Sequence, residues 1–264
     1  DSRVDTYSKE FLNFNNYGSP ELTVESNSFN ANRKYLKNTY YHDLNNWLIN
    51  LEDSNAISFD GVNYITAKKN TYYPDNSAEK SSLYQEYQNG RLLSTHSYYG
   101  DGNIKQTTFN ANNRWMAFAN YMRGKPQLIK IPQRDTANCA NPDTCFLSAS
   151  MVVDGSGNIT KVTDFNGVET QYRYDSNNRV INVKNADTRW AETTISYDLD
   201  SSDNAALFQN ITRGNYKKTV TLDGLMRPIL VKEWDLNNES ATAKYINQAF
   251  NVYGKPTFTS FPST

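Results

Sequence analysis

Short runs of alternating apolar and polar residues, interrupted by tight-turn dipeptides, are the main pattern of this sequence. The pattern is most regular over Val152–Val183. Turns recur there roughly every ten to twelve residues, which is typical of successive hairpins in an all-β protein. Four dipeptides mark these turns: Asp154-Gly155, Gly157-Asn158, Asn166-Gly167 and Asn177-Asn178. The pattern predicts an all-β fold of repeated antiparallel hairpins, and no segment shows a sustained helical period.

The turn dipeptides also predict local backbone geometry. Asn-Gly and Asp-Gly favour the positive φ angles that two-residue hairpins require at both central positions. We therefore expect hairpins at further pairs of this kind: Asp60-Gly61, Asn89-Gly90, Asp101-Gly102 and Asp223-Gly224.

The strongest apolar cluster of the first third spans Tyr40–Leu51. Within it, Trp47, Leu48 and Leu51 have a spacing that also suits a short turn of helix. Large aromatic side chains are highly buried on average in folded proteins. We therefore expect Trp47 to be an aromatic anchor in the core.

The composition favours a thin sheet. Of the 264 residues, 38% are hydrophobic and 13% aromatic, with 19 Tyr and 12 Phe. Tyr and Phe suit a pleated, half-buried surface, so they favour sheet over helix. The mean hydropathy of −0.76 is low for a compact globule, yet this aromatic content is not typical of disorder. A thin sheet layer with much exposed polar surface fits both observations.

Charge and hydropathy exclude several partners. Charged residues make up 21% of the chain and the net charge is −1, which argues against nucleic acid or an anionic membrane as the main partner. No apolar run approaches the roughly 20 residues that span a bilayer. The first residues lack both Met and a secretory signal. We expect a fragment of a longer protein, which leaves secretion open.

The two cysteines, Cys139 and Cys145, lie close together across a Pro-Asp turn. A small-loop disulfide is the main expectation and free thiols are the alternative. Zinc would need two further ligands that the sequence does not supply. A disulfide would imply an oxidising compartment. The surrounding stretch, 132–147, lacks strand character and is expected to be an exposed excursion.

One short pattern recurs along the chain. An aromatic residue is followed by Asp or Asn, then by turn residues, then by Arg or Lys and an apolar strand. It occurs at Phe29–Arg33, Phe109–Arg114, Tyr174–Arg179 and Phe250–Lys255. A unit that recurs with its turn chemistry intact indicates stacked supersecondary units, whose neighbours complete one another.

Residues 164–183 resemble the YD repeats of the Rhs family, which includes bacterial Rhs and wall-associated proteins, the C component of Tc toxins, and teneurins. The motif has the form DxxGxxTxYxYDxxxR. Its positions are occupied by Asp164, Gly167, Thr170, Tyr172, Tyr174, Asp175 and Arg179. The Gly that family members often carry before the Arg is here Asn178, which tolerates positive φ.

The resemblance implies a fold and a set of partners. Family repeats form a long β-ribbon that spirals into a hollow shell, and in toxin members the shell encloses a C-terminal toxic domain. The resemblance thus implies that residues 1–264 form one module, a curved, open, extended sheet within such a shell. The remaining shell repeats and the toxin domain would be its partners. Its exposed edges would favour self-association. The implied location is secreted or on the bacterial cell surface.

The candidate sites favour structure over chemistry. We expect Asp154, Asp164 and Asp175 each to bond the backbone of its own turn, with a weak calcium site as the alternative. His42 and His96 lack a nucleophile motif and are expected to be structural. No cofactor or metal motif is present in the sequence. The leading hypothesis is a non-enzymatic, encapsulating segment.

Two other functions remain open at this stage. Tyr172 and Tyr174 share one strand face, where cross-strand packing is the main expectation. Exposed Tyr and Trp would instead allow binding of a cell-surface carbohydrate. A glycosidase fragment would need two carboxylates facing each other across a cleft.

Overall fold

The computed structural model describes residues 6–29, 32–74, 76–111, 113–133, 145–199 and 207–264. These residues belong to two compact units, Asp1–Ser148 and Ala149–Thr264. Both are built of antiparallel strands, so the predicted all-β hairpin fold is confirmed. Among the described residues, no helix is long and apolar enough to cross a membrane.

The first unit is an antiparallel meander in which each strand pairs with the next along the chain. Its strands are β1 (Tyr7–Phe14), β2 (Pro20–Asn27), β3 (Arg33–Asp43), β4 (Leu48–Ser58), β5 (Ile65–Tyr72), β6 (Leu83–Gln88), β7 (Arg91–Tyr98), β8 (Ile104–Phe109), β9 (Arg114–Met122) and β10 (Lys125–Pro132).

The second unit repeats this arrangement, and β11 begins just before its boundary. Its elements are β11 (Phe146–Val153), β12 (Ile159–Thr163), β13 (Glu169–Tyr174), β14 (Val180–Asn185), β15 (Thr193–Leu199), β16 (Leu207–Arg213), β17 (Tyr216–Leu222), β18 (Pro228–Asp235), helix α1 (Glu239–Thr242), β19 (Lys244–Phe250) and β20 (Pro256–Thr259).

The described residues of neither unit form a deep core. Within each unit the element contacts join consecutive strands, apart from α1 against β18. The buried apolar residues among those described are few: Val24, Trp115, Val153, Val220 and Ala243. Each unit is therefore a single layer, as the low mean hydropathy predicted. Cross-strand pairs contribute only about 0.2–1 kcal/mol each, less than the roughly 1.5–3 kcal/mol of a fully buried side chain. The turns thus determine much of the strand pairing.

The single layer explains why Trp47 is not buried. Residues 40–51 form the β3–β4 hairpin without a helical turn, and Trp47 lies in its turn with 76% of its surface exposed. The prediction of Trp47 as a core anchor is wrong because no second layer covers a turn. Trp190 is likewise uncovered: it lies before β15 and is 59% exposed.

Two other sequence predictions have different outcomes. Asn89 and Gly90 adopt φ angles of 49° and 75° between the paired residues Gln88 and Arg91, which confirms a two-residue hairpin. The predicted excursion 132–147 is too long, because Pro132 still belongs to β10 and Phe146 begins β11; residues 134–144 lie outside the described residues.

Candidate functional site

The centre of the motif is a turn closed by the side chain of Asp175. Asp175 Oδ1 accepts hydrogen bonds from the backbone N–H groups of Asn177 and Arg179, both at 2.9 Å. The Asp175 N–H donates to the Arg179 carbonyl at 2.9 Å, and the Asn178 N–H donates to the Asp175 carbonyl at 3.1 Å. One carboxylate thus organises both ends of a five-residue loop between β13 and β14.

The same turn recurs at five other Asp and Asn residues. At Asp164, Oδ1 accepts from the N–H groups of Asn166 and Val168, both at 2.9 Å. Equivalent bonds are made by the side chains of Asn15, Asp154, Asp223 and Asn251. Asp154, Asp164 and Asp175 therefore bond their own turns, as their spacing predicted.

The third residue after the Asp or Asn carries the left-handed backbone. It is glycine in four of these turns, for example Gly167 with φ 79°, but it is Asn178 with φ 60° and Met226 with φ 63° in the others. Gly155 and Gly224, which directly follow their Asp, do not have positive φ. The predicted geometry at Asp154-Gly155 and Asp223-Gly224 is therefore wrong, because the side-chain bonds close a longer loop.

Arg179 connects its turn to a neighbouring strand. Its Nε donates to Asp175 Oδ2 at 2.7 Å, and its guanidinium lies 4.0 Å from the ring centroid of Tyr197. The backbone N–H of Arg179 lowers the pKa of the Asp175 carboxyl, and the guanidinium lowers it further. The cation therefore covers an aromatic face and balances a carboxylate at the same time.

This three-part arrangement is repeated at the second Arg-containing turn. Arg227 Nε donates to Asp223 Oδ2 at 2.7 Å, and its guanidinium lies 4.6 Å from the Phe250 ring centroid. The Arg227 side chain lowers the pKa of the Asp223 carboxyl. Phe250 immediately precedes Asn251, which closes the next turn, so these two repeats interlock.

Tyr174 of the motif also forms a hydrogen bond to the backbone. The Tyr174 hydroxyl donates to the Ile159 carbonyl, at the start of β12, at 2.7 Å. Burial raises the pKa of this hydroxyl. Four tyrosines of the first unit make the same bond to the strand before their own: Tyr40 to Pro20, Tyr72 to Glu52, Tyr98 to Leu83 and Tyr121 to Ile104.

Tyr172 and Thr170 of the motif pair with residues of β14. Tyr172 lies opposite Val183 and is half-buried, while Thr170 lies opposite Asn185 and its hydroxyl donates to Asn185 Oδ1 at 3.3 Å. The seven motif residues therefore lie on one hairpin pair, held together through turn, ladder and ring contacts.

A polar hollow of about 470 Å³ separates the turns of Asp154 and Asp175. Tyr172 and Tyr174 contribute to its lining, and Asn158 Nδ2 donates to Asn178 Oδ1 across it at 2.7 Å. No group of three or more His, Cys, Asp or Glu suited to a metal occurs in the part of the chain that the structure describes.

A polar cluster surrounds His96, and no sequence pattern predicted it. His96 Nε2 lies 3.2 Å from Glu86 Oε2 and from Ser94 Oγ, and its Nδ1 lies 3.0 Å from Thr107 Oγ1. Strand register places Glu86 opposite Ser94 and His96 opposite Thr107. Ser94 and Thr107 are only 4% and 9% exposed, which leaves their hydroxyls little access to a substrate. The cluster links three strands.

His42 is a structural partner of a turn. Its Nδ1 accepts the Asn50 N–H at 3.0 Å, and its ring centroid lies 4.6 Å from that of Tyr17. Of the cysteines, Cys145 is disulfide-bonded, whereas Cys139 lies outside the described residues. The Cys139–Cys145 pairing stays a prediction.

Comparison with known proteins identifies the repeat. Residues 153–189 match the model of the RHS repeat. No curated protein sequence matches the chain.

Solved structures with a similar arrangement include a Photorhabdus luminescens Tc holotoxin pore with a mutated TccC3, at 13% identity and a TM-score of 0.46, covering 96% of this chain and 11% of that chain. The crystal structure of TcdB2-TccC3-TEV has 12% identity and a TM-score of 0.45, over 94% of this chain and 11% of that one. TcdB2-TccC3 without its hypervariable C-terminal region has 12% identity and a TM-score of 0.46, with the same coverage. This chain therefore spans 11% of the length of these matched chains.

Met226→Gly should stabilise the protein, because it relieves a left-handed backbone that carries a side chain. We expect the free energy of unfolding to rise by about 0.5–1 kcal/mol, and Gly167→Ala to lower it by about 1 kcal/mol or more. Gly224→Ala is the control, since its φ is not positive and its Cβ would meet open space. Denaturant unfolding measures all three; equal effects of the two Ala substitutions would contradict the assignment.

Tyr174→Phe should remove one hydrogen bond without removing the ring. We expect a loss of about 1 kcal/mol in unfolding free energy, because the Ile159 carbonyl loses its donor. Tyr253→Phe is the matched control, as Tyr253 is 84% exposed in a turn. The assignment of Tyr174 fails if both substitutions leave the unfolding curve unchanged.

The turn carboxylates should make the fold sensitive to acid. The pKa of Asp154 is lowered, chiefly by the Asn158 N–H, so its stabilising effect is complete above the unfolded value of about 3.9 and is lost as pH falls through the folded pKa. Asn15 and Asn251 form the same turn without a titrating group. Asp154→Asn should therefore keep the melting temperature at pH 7 and reduce its fall in acid. An unchanged acid profile would contradict this account.

Proposed function

We propose that this chain, whose residues 153–189 match the RHS repeat, is an Rhs-type segment of the encapsulating β-wall of a secreted or cell-surface bacterial toxin. In this role residues 1–264 act as one module that makes and breaks no covalent bonds. Its partners are the remaining wall repeats and a C-terminal toxin domain.

The observation that carries the proposal is how the repeat uses its polar groups. Asp175 bonds two backbone N–H groups and Arg179, Arg179 stacks on Tyr197, and the Tyr174 hydroxyl bonds a carbonyl. Side chains that could act as acids, bases or ligands instead form the hydrogen bonds and ring contacts that shape the hairpins. A wall requires this use of its residues, whereas an active site requires groups left available to a substrate.

The single-layer construction supports the same role. Many large apolar side chains are exposed, including Phe59 and Ile65 in the first unit and Leu225 in the second, at 76%, 75% and 72%. Exposed apolar surface on this scale marks contacts with other chains or domains. Neighbouring repeats and an enclosed domain would cover these exposed side chains.

Carbohydrate binding is the alternative raised by the aromatic content. It is not favoured for the motif tyrosines, because Tyr172 and Tyr174 are half-buried and the Tyr174 hydroxyl is engaged. Trp190 is exposed, but the guanidinium of Arg213 lies 5.3 Å from its ring centroid. Binding on a glycan array would support this alternative only if Trp190→Ala abolished that binding.

Electron microscopy of the product of the whole reading frame tests the wall proposal. We expect a hollow β-shell, with residues 153–189 in its wall and a further domain inside. Limited proteolysis should leave that domain intact until acid or denaturant opens the shell. A solid particle, or a domain cleaved as fast as it is when expressed alone, would overturn the proposal.

A further inference from the structure

A hollow of about 400 Å³ lies over β8, β9 and β10 of the first unit. Its volume is typical of small-molecule sites. Its lining includes Tyr99, Lys105, Ala117, Ala119 and Lys130, and the charged residues of this lining are both lysines. Strands β8 and β9 are each paired along both edges, so the sheet that forms the floor of the hollow is held on both sides.

Strand register explains why the hollow exists. Gln106 of β8 and Lys130 of β10 both pair with Ala117 of β9, so the three side chains lie in one row on one face of the sheet. Ala119, two residues further along β9, points to the same face as Ala117. Neighbouring strands are about 4.8 Å apart, so Gln106 and Lys130 are about 10 Å apart, with a methyl group between them. This gap is the floor of the hollow.

The ring of Tyr99 forms a fixed wall of the hollow. The Tyr99 hydroxyl donates to the Phe118 carbonyl at 2.9 Å, and its ring packs edge-to-face against Tyr121, with 6.3 Å between the two centroids. A ring that is held at its hydroxyl and by a neighbouring ring loses little freedom when a ligand packs on it. The wall is therefore pre-formed.

Lys105 has no carboxylate partner among the described residues. Its Nζ lies 6.0 Å from the Tyr99 ring centroid. The Asp101 carboxylate of the preceding turn is occupied by Asn103, whose N–H and Nδ2 donate to it at 3.1 Å and 2.9 Å. Lysines elsewhere in the chain do pair with glutamates: Lys9, Lys34, Lys68, Lys161, Lys184, Lys218 and Lys232. Lys105 thus brings to the hollow a positive charge that no described carboxylate balances.

Lys130 brings a second positive charge to the other side of the hollow. Its Nζ lies 4.2 Å from the ring centroid of Phe146. An ammonium group carries three hydrogen-bond donors, so a ring contact does not exhaust its capacity to bind an anion. Two like charges beside one hollow repel each other, and a negative group placed between them removes that repulsion.

We propose that this hollow binds a small organic anion. The carboxylate or phosphate group of the anion lies between Lys105 and Lys130, and its apolar body packs on Ala117, Ala119 and the Tyr99 ring. Two ammonium groups on opposite sides suit a negative group, and an aromatic wall suits a flat apolar body. The site goes beyond the proposed wall function and does not depend on it.

Amide NMR of the 264-residue chain, with benzoate and phenyl phosphate as probes, tests the proposal. Both probes should shift the amide signals of Ala117 and Ala119 saturably. We expect a Kd of about 1 mM, because ion pairs that are open to water contribute little. Raising sodium chloride from about 20 to about 200 mM should weaken binding, because salt screens such pairs. Benzamide, the neutral counterpart of benzoate, should leave both signals unchanged.

Substitutions separate the role of the charges from that of the floor. Lys105→Gln and Lys130→Gln should each weaken benzoate binding about threefold, since each removes one charge pair. Ala117→Leu should abolish binding, because it fills the floor without changing the charge. Lys37→Gln is the matched control and should bind like the wild type: Lys37 also lies over a ring, 5.8 Å from the Tyr64 centroid, but outside the hollow. Circular dichroism confirms that each variant is folded.

The two probes also identify the negative group. Tighter binding of phenyl phosphate assigns a phosphate and tighter binding of benzoate assigns a carboxylate, and either result supports the site. Three results would overturn the proposal: no shift with either probe at about 10 mM, equal shifts with benzamide, or a Lys105→Gln variant that binds both probes like the wild type.

Discussion

The rest of the structure depends on one interaction, the acceptance of two backbone N–H groups by one side-chain oxygen of an Asp or Asn. Each unit is a single layer with few buried apolar side chains, so no core selects the register of its hairpins. At Asp175 the carboxylate fixes where β13 ends and β14 begins. A register slip of one residue would move every side chain of a strand to the opposite face of the sheet. Closure of the turn by the Asp175 carboxylate prevents such a slip and so keeps each side chain on its own face.

The other parts of the repeat build on that closure. The turn places Arg179 beside Asp175 and over Tyr197, which connects β14 to β15. Tyr174, just before the turn, reaches back to the start of β12. Each repeat thus contacts the strands on both sides through groups whose positions the turn determines. The consequence is a sheet that can be extended hairpin by hairpin, with the functional groups of the motif used for construction.

Sequence patterns predicted the local part of this structure well. The Asn89-Gly90 dipeptide predicted the two-residue hairpin between β6 and β7, and Asn178 adopts the positive φ expected of a glycine substitute. Features that depend on register or on layer number were missed. The His96 cluster forms only when three strands align, the left-handed residue lies at Met226 because the loop is longer than a dipeptide suggests, and Trp47 is exposed because no layer covers it.

Hydrogen exchange at individual amides, compared between Asp175→Asn and Asp175→Ala, tests the central claim most directly. An asparagine can accept the same two bonds and an alanine cannot. We predict slow exchange at Asn177 and Arg179 in the Asn variant. The Ala variant should exchange fast at these amides and along β13 and β14, with no change in β16 and β17. Native protection of β13 and β14 in the Ala variant would contradict the claim, because the strand ladder alone would then specify the hairpin.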